Sequence, residues 1–307
     1  MRYEVEHSTV LTYGGEVARS YNQLHLRPLD TPTQRLLRYD VVIEPTATPL
    51  RHVDAFGNTV ESFSIATPHS RLRVRTHSSV EVIAPVICDE GPDWDTLDRL
   101  RTEGPWFELT LPSRYVDPRV DAATARALRK HPTPGVAVRA LAEQIRQRFT
   151  YDTEATYVGR TVKALMAEGR GVCQDYSHYF CSVARAAGIP AQYVSGYLAT
   201  EDQTSTPASH AWVEVVWPSG GVLELDPTNG DARPERRIRV AVGRDYDDVP
   251  PLKGVFFGRG DQRLEVSIAL RANGEGASPK ATRKMLARRR IQQRDEKAAQ
   301  EQQQQQQ

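Results

Sequence analysis

The sequence predicts an α+β protein: a β-rich, sandwich-like N-terminal domain, then helices packed on an antiparallel sheet. Three observations carry this reading. Apolar residues alternate at period two through the first third, the period becomes helical after Pro112, and strand patterns return after Gly188 and Pro190.

In the first third, Tyr3 and Val5 alternate with Arg2, Glu4 and Glu6, and Leu24 and Leu26 with Gln23, His25 and Arg27. Tyr39, Val41 and Ile43 share one parity, as do Phe63 and Ile65; Leu72 and Val74 alternate with Arg71, Arg73 and Arg75, and Val80 and Val82 follow. Such strands have one wet face. Asp54-Ala55-Phe56-Gly57-Asn58 between two of these runs reads as a hairpin loop. Short, closely spaced strands point to a sandwich.

In the middle, Asp121 is placed to cap a helix running through Lys130, and His131-Pro132-Thr133-Pro134 breaks it. Val138, Leu141, Ile145 and Phe149 then fall on one helical face. Thr161 to Glu168 is a shorter helix stopped by Gly169, and Cys173 to Ala187 the next, stopped by Gly188 and Pro190. The later strands are Ala191 to Leu198, His210 to Trp217, Val222 to Asp226, Arg239 to Val242 and Leu264 to Leu270. The expected domains are therefore residues 1–112, a core over 113–270, and a tail over 271–307.

The 307 residues are enough for a substantial core, and a formal charge of +1 argues against a body built for nucleic acid or an anionic membrane. The charge is uneven. Lys280 to Gln307 carries +5, leaving −4 for the rest. The tail's basic and glutamine-rich composition predicts a solvated, disordered extension; an RNA or acidic-partner grip is the rival reading. The three cysteines, Cys88, Cys173 and Cys181, are too few for a disulfide framework, and no apolar run is long enough to span a bilayer. The charged N-terminus does not fit a signal peptide, so a reducing cytoplasm is expected.

Cys173 opens a helix directly after Gly169-Arg170-Gly171. Free N–H groups and the positive end of the helix dipole stabilise a thiolate there, and the same N–H groups could bind an oxyanion. A thiolate nucleophile needs a base, and the base an orienter. His210 begins one strand and Asp226 ends the next, so antiparallel pairing through Pro218-Ser219-Gly220-Gly221 would bring imidazole and carboxylate together. Zinc fits poorly: Cys173, His178, Cys181 and His210 include a helical pair about 140° apart, and metal-ligand spacing is absent. Cys88 and Cys181 read as packing.

Gly171-Val172-Cys173-Gln174-Asp175, Ser209-His210-Ala211-Trp212 and Asp226-Pro227-Thr228 resemble the three blocks of the bacterial transglutaminase-like superfamily, in that order. Ala187-Gly188-Ile189-Pro190-Ala191, Val194-Ser195-Gly196-Tyr197 and the block Val242 to Pro250 are similar to it as well, and the first third resembles its bacterial N-terminal region. The resemblance implies a papain-like core with Cys173 as nucleophile, His210 as base and Asp226 as orienter. It implies amide, peptide or isopeptide substrates, with a hydrolase favoured over a transamidase; the residues themselves show no calcium-site motif such as an EF-hand loop and call for no cofactor or metal. It also associates the chain with ATP-grasp peptide-ligase-like proteins. A binding module without chemistry is the alternative from another class.

Animal transglutaminases carry a tryptophan directly after the cysteine; here it is Gln174. The Cys173 N–H is therefore the expected oxyanion donor, with the Gln174 side chain as a further candidate. Asp175 could shape the cleft or cap the helix, and Tyr176 could line the cleft or be core. Trp212 fits a wall of the site and plain core equally. The Gly243 to Tyr246 block reads as a structural turn, and Thr200 to Pro207 as a specificity loop.

Overall fold

The computed structural model describes residues 1–83, 91–100, 102, 104–155, 159–199, 209–218, 220–230, 234–258, 260–272 and 285–289. Cys88 and the Thr200 to Pro207 loop lie outside the described residues.

The N-terminal strands are β1 (Arg2–Leu24), β2 (Gln34–Glu44), β3 (Leu50–Val53), β4 (Thr59–Ile65) and β5 (His69–Val82). The layering expected of a sandwich is achieved by one curled antiparallel sheet of eight strands. The runs at Tyr3 and Leu24 are not separate strands: both belong to the 23-residue β1. Its first half pairs with β5 and its second with β4, and the register shifts between Thr12 and Val17. A bulge of this kind bends a strand and lets one sheet curl over its own core. Leu24, Leu72 and Val74 are fully buried in that core, while Arg71 and Arg75, flanking them on β5, are exposed. The Asp54–Asn58 loop joins β3 and β4; Asp54 Oδ1 accepts from the N–H groups of Phe56 and Asn58, both at 2.9 Å. Gly57 sits there at φ 83°, a conformation glycine adopts without strain.

The helices are α1 (Trp94–Leu100), α2 (Ala122–Leu128), α3 (Pro134–Arg148), α4 (Val162–Glu168) and α5 (Cys173–Ala186), with a 3₁₀ turn over Pro105–Thr110. Asp121 caps α2 by accepting from Thr124 N, and Thr133 caps α3 by accepting from Val136 N. Gly169 ends α4 in the left-handed region. Val138, Leu141 and Ile145 of α3 and Tyr179, Phe180 and Val183 of α5 share one buried cluster with Val213 and Val215. Leu97 of α1 joins the same cluster, so the core begins before residue 112.

Two short strands, β6 (Thr150–Tyr151) and β7 (Arg170–Gly171), pair in parallel just ahead of α5. The core sheet has the order β10-β9-β8-β11, from β8 (Ala191–Leu198), β9 (Ser209–Val216), β10 (Val222–Leu225) and β11 (Arg237–Gly243). The chain then returns to the first sheet. Strands β12 (Leu252–Gly258) and β13 (Gln262–Ala272) both pair with β1. Residues 252–270, expected in the core, thus belong to the N-terminal sheet; alternation identifies a strand but not the sheet it joins. Within the expected tail, β14 (Met285–Arg289) pairs with β13.

Sheet and core share a buried cluster of Tyr3, Val5, Val80, Tyr197, Ile238 and Val240. Polar pins reinforce it. Asn58, fully buried, accepts from Val242 N at 2.8 Å and donates to Val242 O at 2.7 Å.

Candidate active site

Cys173, His210 and Asp226 come from the start of α5, the start of β9 and the residue after β10. Pairing of β9 with β10 puts Val213 opposite Leu225, so the strand-end carboxylate falls beside the strand-start imidazole, as expected. His210 Nε2 lies 2.8 Å from Asp226 Oδ2, and both residues are buried. Cys173 packs on the cluster that holds Ala211, the residue next to His210, and its thiol acts on the ring through a hydrogen bond and its charge. With Nε2–H donated to Asp226, Nδ1 is the nitrogen left for the sulfur.

Burial by itself would lower the His210 pKa. Hydrogen bonds to Asp226 and Cys173, and the charges of both, outweigh it and push the value up to about 10. Burial would raise the Asp226 pKa. The hydrogen bond and charge of His210 and the amides of Asn229 and Thr228 hold it below the usual carboxylate range. Thr228 N and Asn229 N donate to Oδ1 at 2.9 Å and 3.0 Å, which leaves Oδ2 for the ring.

Asn229 was not anticipated from the sequence. Its Nδ2 lies 3.2 Å from both Asp226 Oδ2 and His210 Nε2. Because Nε2–H already points at the carboxylate, the amide donates to Asp226. It follows Asp226-Pro227-Thr228 directly, but that turn alone does not reveal its aim.

Cys173 and Gln174 occupy the first two helical positions of α5, where backbone N–H groups have no intrahelical acceptor. Both side chains are half-buried. Asp175 caps the start of α5 from its third position: its Oδ2 accepts from Val172 N at 2.9 Å and faces Arg160 Nη1 at 3.2 Å. These contacts give it the capping role. Arg160 is itself buried and donates to Glu168 and to Arg170 O, tying β7 to the helix start. Tyr176 sits in the core against Phe149 and Tyr151, and burial, with the Asp175 charge, raises its pKa to about 12.

Trp212 is fully buried and stacks on His210 with ring centroids 5.9 Å apart. It packs with Val194, Val242, Leu29 and Phe56, so it is both core and a support beneath the imidazole. Gly196 makes this possible. A Cβ there would meet Ile238 O at 2.1 Å and the Trp212 ring at 2.5 Å.

The Gly243 to Tyr246 block is a turn with a site-side role. Tyr246 and Cys173 pack against the same cluster of Tyr193, Ala211, Ala241 and Val249. Asp245 anchors the turn by accepting from Tyr115 N at 2.7 Å and Asp247 N at 2.8 Å. His178 lies beneath it, stacked on Tyr115 and tilted against Tyr193, with Nε2 accepting from Tyr246 N. Burial lowers the His178 pKa to about 4, so it is a neutral packing residue. Cys181 is buried and its thiol pushed up to about 11. Among the described residues no group of three or more His, Cys, Asp or Glu gathers as a metal site.

Comparison with known proteins agrees with this architecture. Residues 122–227 match the transglutaminase-like superfamily and residues 3–81 the bacterial transglutaminase-like N-terminal region. An uncharacterized protein of Mycobacterium leprae is 34% identical over 276 residues, covering 88% of this chain and 98% of that protein. A protein-glutamine gamma-glutamyltransferase of Pseudomonas aeruginosa is 29% identical over 65% of this chain and 31% of its own length. The crystal structure described as "a Putative Cysteine Protease from Cytophaga hutchinsonii" shares the fold with a TM-score of 0.76 at 18% identity, over 94% of this chain and 98% of that one. The chain belongs to the transglutaminase-like superfamily, and it carries that superfamily's bacterial N-terminal region.

Proposed function

We propose that the protein is a cysteine-nucleophile acyl-transfer enzyme that hydrolyses amide bonds. The observation that supports this reading is the buried His210–Asp226 pair at 2.8 Å, with Cys173, at the start of α5, packed on the cluster of the neighbouring Ala211. The Cys173 sulfur attacks the amide carbonyl carbon. Negative charge develops on the carbonyl oxygen, where the N–H groups at the start of α5 can receive it. His210 passes its proton from Nδ1 to the leaving amine, the C–N bond breaks, and a thioester remains. Water then attacks the thioester while Nδ1 takes its proton. Collapse releases the carboxylic acid and restores the thiolate–imidazolium pair. Asp226 stays ionised throughout and stabilises the imidazolium.

Small peptide or isopeptide amides, of the kind that ATP-grasp peptide ligases make, are the proposed substrates. The free thiols of Cys173 and Cys181 support action in a reducing cytoplasm. Transamidation is the second reading, favoured by the name of the Pseudomonas relative. A peptide and isopeptide library incubated with wild type and with Cys173→Ala, read by mass spectrometry, tests the hydrolase. Cleavage should depend on Cys173. Incorporation of a dansylated amine into a glutamine acceptor without hydrolysis would replace it by the transferase.

A further inference from the structure

One face of the core sheet carries an unusual load of buried charge. Along β9, Ala211, Val213 and Val215 belong to the apolar clusters containing Cys173 and α5. The alternate positions His210, Trp212 and Glu214 belong to the opposite face, together with Glu224 of β10 and Gln192 of β8. Arg239 and Arg237 reach over this face from β11. Arg239 Nη2 donates to Glu224 Oε2 at 2.7 Å and its Nε pairs with Glu214, which Gln192 also contacts at 2.8 Å. Arg237 Nε pairs with Glu224, and its Nη1 lies 3.9 Å from Asp226 Oδ2, the oxygen that faces His210. The Arg237 side chain is 3% exposed and that of Asp226 1%.

Packed apolar residues would generally hold such a face together at less cost than buried ion pairs. The chain of charges nonetheless ends at the triad carboxylate. Its other end is held by the N-terminal sheet. Gln34, the first residue of β2, accepts from Arg239 N at 2.8 Å and donates to Arg239 O at 2.9 Å. It does so where β11 shifts register against β8, between Arg239 and Ala241. Gln34 thereby replaces a strand partner and fixes the residue from which the guanidinium projects.

We propose that Arg237 is a positioning residue: paired with Glu224, it holds Asp226 ionised and aimed at His210, and Gln34 of the N-terminal sheet sets that pair through Arg239. The N-terminal region is then part of the site's support, although it supplies none of its reacting groups. The inference rests on the proposed Cys173–His210–Asp226 chemistry. Among the described residues, the charged or titratable groups facing Asp226 include His210 from β9, Arg237 from β11 and, beyond it, Glu224 from β10, with Arg239 and Glu214 further along the chain.

The experiment is iodoacetamide alkylation of Cys173 in the full chain from roughly pH 4 to 9, followed by mass spectrometry of its peptide. A group next to an ionisable residue moves its titration by about one unit or more. Arg237→Met should therefore shift the acid limb of the profile upward by about one pH unit, and Arg237→Lys should restore much of it. Because Arg237→Met leaves Glu224 short of a partner, Arg237→Met/Glu224→Gln removes both charges and should show the same upward shift. Gln34→Ala should move the limb in the same direction by less. A wild-type limb in the double variant overturns the role of Arg237, and one in Gln34→Ala overturns the link to the N-terminal sheet. If His210→Ala leaves the wild-type profile unchanged, the triad reading itself fails. A His210-dependent profile that the Arg237 and Gln34 variants do not move sinks only this inference.

Discussion

The ionisation of His210 is where the site can be tested one residue at a time. Its pKa rises from 6.5 to about 10 in the folded chain, so its contribution to stability is fully present below pH 6.5 and is lost as pH rises through about 10. Chemical denaturation of wild type should therefore show a declining midpoint across that window, and His210→Asn should flatten the decline. His178 has the opposite sign. Its pKa falls to about 4, so its contribution is present above 6.5 and lost as pH drops toward 4. Asn229 donates to Asp226 at the edge of the pair. Asn229→Ala should cost about 1 kcal/mol, the net worth of one hydrogen bond, and slow Cys173 alkylation near neutral pH by roughly tenfold at most.

At the scale of elements, the start of α5 depends on a carboxylate that does no chemistry in the proposed mechanism. Asp175 caps the Val172 N–H and faces Arg160, whose side chain is 1% exposed. Asp175→Ala would leave that guanidinium short of its buried partner, a change that costs about 3–5 kcal/mol. Urea denaturation should register the loss, and alkylation of Cys173 should slow because the helix start loosens. On β8 the decisive residue is Gly196. A methyl group there meets a backbone carbonyl and a fully buried indole, neither of which can yield. Gly196→Ala should thus destabilise by about 1–3 kcal/mol or more, the range for overpacking, and shift the His210-dependent alkylation profile through Trp212.

At the scale of the whole molecule, the two sheets are built to unfold together. β1 pairs with strands from both ends of the chain, and the cluster around Tyr197, Ile238 and Val80 spans sheet and core. Asn58 adds two buried hydrogen bonds to Val242. Asn58→Ala removes both and should cost about 1–3 kcal/mol. Circular dichroism and tryptophan fluorescence should nonetheless report one coincident transition. Two separated transitions would mean that the N-terminal sheet and the core are independent. Among the described residues no helix is long and apolar enough to cross a membrane.

Local chemistry determined much of this protein. Period-two runs located strands, Asp121 and Thr161 marked helix starts, and Gly169 marked a stop, because propensity, capping and backbone conformation act within a few residues. The order of strands around the Pro218 turn was enough to bring His210 toward Asp226. What lies across the chain was decided only by tertiary structure. Leu264 to Leu270 reads as a strand wherever it is placed, yet its partner is β1, more than two hundred residues earlier. The same holds for Gln34 against Arg239, Asn58 against Val242 and Arg237 against Asp226. An amide or guanidinium in a strand looks like a solvated polar position until another sheet covers it. Burial then removes water as the competing partner and makes the specific contact matter.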